Sequence, residues 1–254
     1  MHVREDGDPS GLPVVFANSL GSDLRLWDGV LPHLPDGLRL IRWDKRGHGA
    51  SDVPPGPYSM GTLVSDAETI LDDLGIKACI FVGVSIGGMI AQGLAVKRPD
   101  LIDRLVLSNT AARIGARAMW QERIDAVRTS GMASIADAVL ARWFGRDFQA
   151  TGDMALWRGR FCEVPPEGYA GCCAAIAGAD FYTPTSSLRL PTLAIAGSED
   201  TSTPPDLMRE TADLIPGAEF ALMRRAGHLP CVEQPREFAA LLTRFVQGGP
   251  DAET

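Results

Sequence analysis

The sequence lacks the segments that would anchor or export a protein. No uninterrupted apolar stretch among its 254 residues reaches the roughly 18–20 residues that a membrane helix needs. Its start, MHVREDGDPSG, has neither the basic region nor the apolar run of a secretory signal peptide. Only five cysteines are present and none forms a C-x-x-C pair, so neither a disulfide framework nor a zinc site is predicted. We therefore expect a cytoplasmic protein with reduced thiols.

Positive charge is also scarce. Lys and Arg number 24 against 32 Asp and Glu, which gives a formal net charge of −8. A generally acidic surface repels nucleic-acid phosphates and anionic membranes, so we expect neither as a partner. With 45% hydrophobic and 22% charged residues the composition is that of an ordinary globular domain, and the expected partner is a small molecule. The oligomeric state is left open, because a sequence does not locate exposed apolar patches.

What is present is an alternation of short apolar runs with longer segments of helical periodicity. This pattern is typical of a parallel sheet covered by helices on both faces. Helices are predicted over 62–74, which carries an apolar stripe, and over 86–97, which ends before Pro99. The predicted strands cover residues 13–17, 38–43, 78–84, 104–108, 192–196 and 219–223.

The alternation stops between about residues 113 and 187, where consecutive helices are predicted. Two Ala-rich segments, MASIADAVLARWF and GYAGCCAAIAG, lie there without a convincing strand. We predict a core domain of residues 1–112 and 188–254 and a helical cap of residues 113–187. The cap has 8 arginines, no lysine and 8 acidic residues, which is compatible with an anionic substrate or, more plainly, with exposed helix faces. The tail over 248–254 is predicted to fray.

The strongest local signal for chemistry is the segment Gly83-Val84-Ser85-Ile86-Gly87. A G-x-S-x-G sequence between a strand and a helix is typical of a nucleophile elbow, a strained turn that needs small neighbours. The N–H groups at the helix start then lie beside the serine and favour developing negative charge. We predict that Ser85 is a nucleophile rather than part of a plain glycine-rich turn.

A serine nucleophile needs a histidine as its general base, and the sequence has 4 histidines. His228 directly follows the last predicted strand, at the strand end where α/β proteins form their sites. His2 lies near the start of the chain, His33 between prolines, and His48 within a DKRGHG turn. We therefore predict His228 as the base, with an ordinary surface-loop histidine as the alternative.

The histidine in turn needs an acid that orients it. In a serine hydrolase of this type the acid lies between serine and histidine in the chain. Asp200 fits, because it follows the predicted strand over 192–196 and lies 115 residues after Ser85 and 28 before His228. Glu199 is the adjacent alternative, and either acid could instead be a solvated loop residue. We predict Asp200.

The fourth requirement is a pair of N–H groups that bind an oxyanion. One donor is the amide after the nucleophile, which here belongs to Ile86. The other comes from the loop after an early strand, here Asn18-Ser19-Leu20-Gly21, and we assign it to Leu20. Leu20 can pack in the core and serve this backbone role at the same time.

Together these segments resemble the α/β-hydrolase superfamily over nearly the whole chain. The stretch Asp44-Lys45-Arg46-Gly47-His48-Gly49-Ala50-Ser51 matches D-x-R-G-x-G-x-S, another pattern typical of the superfamily, which we interpret as a structural turn. The resemblance implies the α/β class and the α/β-hydrolase fold. That fold has a mostly parallel central sheet flanked by helices, with an inserted helical cap.

Four further segments are similar to the 3-oxoadipate enol-lactonases, a family of the β-ketoadipate pathway of bacterial aromatic breakdown. They are ANSLGSDLRLW (17–27), SNTAARIG (108–115), ARWF (141–144) and GYAGCCAAI (168–176). The similarity maps Ser85, Asp200 and His228 onto a catalytic triad. It maps the amides of Leu20 and Ile86 onto the oxyanion hole.

The cap holds the residues that the resemblance implies for substrate binding. Arg142 and Trp143 are candidate contacts, and packing within the cap is the alternative for Trp143. One departure is that Ala177-Gly178 stand where the family pattern continues Arg-Asp, so an arginine is missing. The arginines considered for a substrate carboxylate are Arg113, Arg117, Arg142 and Arg146.

The activity implied is that of a serine hydrolase for carboxylic esters. It would open 3-oxoadipate enol-lactone, a small anionic lactone, to 3-oxoadipate through an acyl-enzyme, with no cofactor and no metal. The alternatives are a general carboxylesterase and a haloperoxidase-like perhydrolase with the same triad. A non-catalytic receptor for a small ligand is a further alternative, disfavoured by the intact set of catalytic residue types.

Overall fold

The middle of the molecule is a sheet whose strands are almost entirely apolar. A computed structural model describes residues 1–248. Residues 249–254, which end the predicted core domain and form all but the first residue of the predicted frayed tail, lie outside the described residues. Within 1–248, seven strands form one sheet in the order β1-β3-β2-β4-β5-β6-β7. Their bounds are β1 Val3–Gly7, β2 Leu12–Ala17, β3 Leu38–Trp43, β4 Cys79–Val84, β5 Ile102–Ser108, β6 Thr192–Gly197 and β7 Glu219–Met223.

All pairings except one are parallel, so the predicted fold class is confirmed. Strands β4 and β6 are buried at every position, as expected for a sheet covered on both faces. The exception is β1, an antiparallel edge strand that the strand prediction missed. Its sequence VREDG carries no apolar alternation because it is only partly covered at the sheet edge.

Strand order positions the loops that matter. The chain moves outward from β2 to β3 and then returns to place β4 on the other side of β2. Parallel strands have their carboxyl ends at one edge of the sheet, and a crevice opens where the order reverses. The loops that follow β2 and β4 therefore lie side by side at that edge.

Helices cover both faces of the sheet. Ser59 accepts a hydrogen bond from the N–H of Thr62, so the first helix begins two residues before its predicted start. The helix predicted over 86–97 has those bounds. The helices are α1 Met60–Asp73, α2 Ile86–Lys97, α3 Arg117–Ser130, α4 Ala133–Trp143, α5 Arg146–Gln149, α6 Asp153–Cys162, α7 Pro166–Ala177, α8 Tyr182–Ser186, α9 Pro205–Asp213, α10 Pro230–Glu233 and α11 Pro235–Val246. Short 3₁₀ turns cover Leu24–Trp27 and Leu31–His33.

Six of these helices, α3 to α8, follow one another between β5 and β6. We call this run the helical insertion. Within it α3 packs against α7 and α4 against α6. Its buried aromatic side chains join the core cluster, so the insertion is packed onto the sheet domain rather than separated from it. Its role as a cap stays a prediction. No helix within residues 1–248 is long and apolar enough to cross a bilayer.

Candidate active site

Ser85 lies in a strained turn between β4 and α2. Its φ and ψ are 59° and −120°, a conformation that residues with a side chain rarely adopt. The neighbouring glycines make the turn possible. A Cβ on Gly83 would lie 2.3 Å from the carbonyl oxygen of Gly87, and one on Gly87 would lie 2.2 Å from that of Ala17. The G-x-S-x-G spacing thus follows from close backbone approach.

Several hydrogen bonds hold this turn in place. The carbonyl oxygen of Ser85 accepts from the hydroxyl of Thr110 at 2.7 Å and from the N–H groups of Gly88 and Met89. The N–H of Ser85 donates to the carbonyl of Ser108. The side chain of Ser85 is left to face a cavity, and the residue is 7% exposed.

Asp200 and His228 form a buried pair beside the same cavity. The Nδ1 atom of His228 lies 2.8 Å from Oδ2 of Asp200. His228 also lines the cavity that Ser85 faces. The chain folds this way because β6 and β7 are neighbours, and the loops that follow them carry the acid and the histidine. Residues distant in sequence thus meet at one edge of the sheet.

The carboxylate of Asp200 is held in its ionised form. Burial by itself raises the pKa of Asp200, but the charge of His228 and hydrogen bonds from His228, Asn109 and Thr203 outweigh burial and lower it. Asn109 donates to Oδ2 at 2.8 Å and also to the carbonyl of Gly227. The prediction of site residues did not include Asn109. The signal for it was its place at the carboxyl end of β5.

Glu199, the alternative acid, has a different environment. Its Oε2 atom accepts a hydrogen bond from the N–H of Arg146, and it forms an exposed ion pair with the Arg146 guanidinium. Of the two adjacent acids, the one bonded to His228 is Asp200. The other histidines lie elsewhere. His48 is fully buried and its Nε2 accepts from the N–H of Gly21.

Leu20 lies where the loop after β2 meets the cavity. It lines the cavity together with Ser19 and Ser85. Within residues 1–248, the N–H of Leu20 donates to no protein acceptor. Ile86 is the first residue of α2, and the first N–H groups of a helix have no partner within the helix. Leu20 thus lines the cavity with an unpaired amide, whereas Ile86, the other residue predicted for the oxyanion hole, is fully buried and is not among the lining residues.

The cavity has a volume of about 160 Å³ and lies between the sheet edge and the helical insertion. Its floor is polar and its roof is aromatic and cationic. The lining residues are Ser19, Leu20, Ser85, Ile114, Gly115, Met119, Trp120, Arg123, Arg142, Trp143, Tyr169, Thr201, Ser202 and His228. Within residues 1–248, no group of three or more His, Cys, Asp or Glu side chains is placed to hold a metal ion.

Two arginines of the insertion face this cavity. Arg142 is one of the candidates named from the sequence, and burial followed by the nearby charge of Arg123 lowers its pKa. Arg123 was not a candidate. It lies over the ring of Trp120 and donates to the hydroxyl of Tyr169 at 3.5 Å. Within the part of the chain that is described, no carboxylate lies within 4.0 Å of either guanidinium. Two cations without ion-pair partners favour an anionic ligand.

The other candidate arginines do not line the cavity. Arg113 lies 3.9 Å from the carboxylate of Asp180, and the Arg146 side chain is 89% exposed. Arg117 is exposed near the start of α3. Ala177 and Gly178, where an arginine of the family pattern is missing, are also not among the lining residues.

Trp143 both packs in the insertion and lines the cavity. Its ring lies edge-on to Phe144 and Phe161, with centroids 6.2 Å and 5.4 Å away. Its carbonyl oxygen accepts from the N–H of His228 at 2.7 Å and from that of Leu229. The two interpretations made from the sequence are thus compatible, and the insertion is bonded directly to the histidine loop.

Glu233 strengthens the same junction. Its Oε1 atom accepts from the N–H of Gly227, and its Oε2 atom accepts from that of Gly145, both at 2.8 Å. Burial raises the pKa of Glu233 to about 7, although the two hydrogen bonds lower it in part. One carboxylate thereby joins the residue before His228 to the loop between α4 and α5.

The arrangement as a whole can support acyl transfer. It combines a serine on a strained elbow, a histidine held by an ionised carboxylate, and two free amides beside the serine. Such a set requires no metal to activate the serine. The adjoining cations and aromatic rings can hold a small anionic substrate against it.

Comparisons with known proteins point in the same direction. The sequence matches the family described as the alpha/beta hydrolase fold over residues 13–235. It is 34% identical to 3-oxoadipate enol-lactonase 2 of Acinetobacter baylyi, covering 91% of this chain and 89% of that protein. The crystal structure of the enol-lactonase from Burkholderia xenovorans LB400 has a TM-score of 0.93 at 37% identity, covering 97% of this chain and 96% of that one. A malate-bound thermophilic esterase from Thermogutta terrifontis has a TM-score of 0.91 at 28% identity, covering 96% of this chain and 92% of that one.

Proposed function

We infer from the chain's membership of the alpha/beta hydrolase family that it is a carboxylic-ester hydrolase, and we propose that its substrate is 3-oxoadipate enol-lactone. The observation that carries the proposal is the cavity that Ser85 and His228 share with two unpaired arginines. A triad alone suits many esters, whereas the two cations favour a substrate with a free carboxylate. The similarity to enol-lactonases supports this substrate and a place in bacterial aromatic breakdown.

Acylation begins with proton transfer. His228 accepts the proton of the Ser85 hydroxyl at Nε2 while the serine oxygen attacks the lactone carbonyl carbon. Asp200 holds the Nδ1–H of His228 and stabilises the imidazolium that forms. Because Asn109 and Thr203 also donate to Asp200, the carboxylate stays ionised and fixed in orientation.

The attack converts the carbonyl oxygen into an oxyanion beside the two free amides. The N–H groups of Leu20 and Ile86 donate to it, and each such donor is worth on the order of 3 kcal/mol in the transition state. The tetrahedral intermediate then expels the ring oxygen as an enolate, which takes up a proton and becomes a ketone. A stabilised enolate departs with less general-acid help than an alkoxide needs, so proton donation by His228 contributes less to this step.

Deacylation repeats the same chemistry with water. His228 accepts a proton from a water molecule, whose oxygen attacks the acyl carbon bound to Ser85. Collapse of the second tetrahedral intermediate breaks the acyl–oxygen bond and returns the proton to the serine. The product is 3-oxoadipate, which carries one carboxylate more than the lactone.

Substrate orientation depends on the insertion. We assign Arg142 and Arg123 to the carboxylate of the lactone and Trp143 to contact with its ring. A guanidinium suits a carboxylate because its planar donors match the two oxygens. The family pattern has an arginine where this chain has Ala177-Gly178. Arg123, which lines the cavity together with Arg142, gives this chain a pair of cations at the site without that arginine.

The test is the ultraviolet loss of 3-oxoadipate enol-lactone, generated in situ from muconolactone by its isomerase. Wild type is compared with Ser85→Ala and with the control Ser130→Ala, which changes an exposed serine at the end of α3. We expect wild type and the control to consume the lactone at equal rates. Ser85→Ala should lose about 10⁵- to 10⁶-fold in kcat. Near-wild-type turnover by Ser85→Ala would contradict the mechanism.

A general carboxylesterase is the second candidate, favoured by the likeness to the Thermogutta esterase. A substrate panel that compares the enol-lactone with neutral aryl esters separates the two. A kcat/KM for the lactone far above that for the esters supports the lactonase. Equal or higher values for the esters would assign the chain to the esterase instead.

A further inference from the structure

We propose that Lys45 is a positioning residue that strengthens the oxyanion donor at Leu20 through the peptide group between Ser19 and Leu20. The inference rests on the proposed function, which assigns the Leu20 amide to the oxyanion. It adds a residue that lies outside the triad and does not touch the cavity.

Lys45 is a buried cation behind the loop that follows β2. The residue is 3% exposed and stands two positions after the end of β3. Its Nζ atom donates to the carbonyl oxygen of Ser19 at 2.7 Å and to that of Ser22 at 3.0 Å. The ammonium therefore holds the loop that follows β2 through two of its carbonyl oxygens, and Lys45 is not among the residues that line the cavity.

The peptide geometry connects this contact to the cavity. The carbonyl of Ser19 and the N–H of Leu20 belong to one planar peptide group, and in a trans peptide they point in opposite directions. A cation at the oxygen polarises the group and makes its N–H a stronger donor. Lysine, peptide and oxyanion form a chain of hydrogen bonds in which each dipole points the same way. This chain is complete only when negative charge develops on the substrate.

The charged surroundings leave Lys45 without a direct ion-pair partner. Within residues 1–248, no carboxylate lies within 4.0 Å of its ammonium. Asp44 is occupied by the N–H groups of Leu24 and Ala50, and Asp23 by Arg25. Burial of an ammonium group costs free energy of desolvation, and an apolar side chain of equal length would fill the same space without that cost. The charge is thus better explained by its effect on the two carbonyls than by packing.

Titration of Lys45 provides a test that does not depend on mutation. Burial lowers the pKa of Lys45 to about 8, partly opposed by the charges of Asp44 and Asp23. His48, in the same turn, has its pKa lowered well below the usual value by burial and is neutral. Burial raises the pKa of the Cys172 thiol to about 12, so this neighbour does not titrate between pH 7 and 10. Lys45 is the group in this cluster that loses its charge there.

Activity and stability should then move in opposite directions. As pH rises through about 8 the ammonium loses its proton, and kcat falls because the Leu20 donor weakens. A lysine whose pKa is lower in the folded than in the unfolded state binds fewer protons when folded, so this group makes the fold more stable as pH rises. A lysine whose charge braced the loop would have a raised pKa in the folded state, and activity and stability would then be lost together as pH rises.

The experiment compares Lys45→Met with Lys77→Met, which removes the charge of an exposed lysine before β4. Hydrolysis of p-nitrophenyl acetate and inhibition by a boronic acid that forms a tetrahedral adduct on Ser85 are measured from pH 6.5 to 9.5. We expect Lys45→Met to lose about tenfold or more in kcat and in boronate affinity, with KM within about threefold of wild type. Its profile should lack the fall near pH 8 that wild type and Lys77→Met show.

The proposal would be overturned if Lys45→Met lost kcat and 1/KM equally, or if its activity still fell near pH 8 as that of wild type does. If Lys45→Met does not fold, wild type decides. A wild-type kcat and boronate affinity that stay constant to pH 9.5 contradict it, and a fall near pH 8 while the melting temperature holds or rises supports it. Labelling of Ser85 by a fluorophosphonate reports on the triad independently. Labelling without the Lys45 effect refutes this inference alone, whereas no labelling in folded protein refutes the proposed function.

Discussion

The two sides of the cavity are built by different means. On the sheet side, Ser85, Asp200 and His228 are set by strand ends, by a strained turn and by hydrogen bonds to fixed neighbours. On the side of the helical insertion, Arg123 and Arg142 project from α3 and α4, and their charges have no carboxylate partner within residues 1–248.

The difference assigns different tasks to the two sides. Hydrogen-bonded groups that cannot reorient favour one geometry, which suits stabilisation of a transition state. Unpaired cations on helices gain a partner only when the ligand arrives, which suits recognition. Changes on the sheet side should therefore reduce kcat for every substrate. Changes on the insertion side should raise KM for anionic substrates alone.

Replacement of the acid on the sheet side should have the largest effect. Asp200→Asn keeps the shape but removes the charge that fixes the His228 tautomer, and kcat should fall about 10³- to 10⁴-fold on both the lactone and a neutral aryl ester. Steady-state kinetics with both substrates measure it. Glu199→Gln, the change at the adjacent acid, should stay within about tenfold of wild type. A larger loss in Glu199→Gln than in Asp200→Asn would reverse the assignment.

Removal of one cavity arginine should act on binding. Arg142→Met and Arg123→Met should each raise KM for the anionic lactone about 10- to 100-fold, because a charge-assisted hydrogen bond is lost. KM for the neutral aryl ester should change little. Arg117→Met, on the same helix as Arg123 but exposed, serves as the control. If both substrates suffer equally, the arginines support the fold and do not select the anion.

Glu233, which joins the two sides of the cavity, should affect how the stability of the fold depends on pH. The pKa of Glu233 is raised to about 7 by burial, above its value in the unfolded chain. Its contribution to stability is therefore full below about pH 4.5 and is lost as pH rises to 7, by on the order of 2–3 kcal/mol. Chemical denaturation of wild type and Glu233→Gln at pH 5 and pH 8 measures it. The variant should show a smaller difference between the two pH values, and equal differences would contradict the assignment.

The smallest effect is expected for a charge of the insertion that lies away from the cavity. Arg158 forms an ion pair with Asp137 at the surface. Arg158→Met removes the same charge as Arg142→Met, but kcat/KM for the lactone should stay within about twofold of wild type. A loss comparable to that of Arg142→Met would mean that overall charge, rather than two placed cations, governs substrate binding.

The parts predicted from the sequence are those with a short-range signature. The runs that form β3 and β7 have their predicted bounds, because turn residues flank each short apolar run and mark where the strand begins and ends. The elbow at Ser85 is recognisable because close backbone approach demands glycine at fixed spacings. Chain order limits the acid to the segment between Ser85 and His228 but does not separate Asp200 from Glu199, and the bond to His228 is the one that Asp200 makes.

The parts that were missed have no such signature. Strand β1 is polar and gains its order from pairing with β3 at the sheet edge, so periodicity does not reveal it. Asn109 meets Asp200 across 91 residues of chain, and Arg123 reaches the cavity because α3 packs against α7. Lys45 was interpreted as part of a structural turn, since nothing in the local sequence shows which carbonyls its ammonium meets.

By itself, the sequence determined the fold class and the identity of the nucleophile, acid and base candidates, because these depend on local periodicity, glycine spacing and chain order. The tertiary structure alone decided which cations face the cavity, which amides remain free and which carboxylate joins the insertion to the histidine loop. The physical reason is that burial and partnership of a polar group depend on surfaces contributed by distant segments, and a side chain's charge has its effect only where that packing places it.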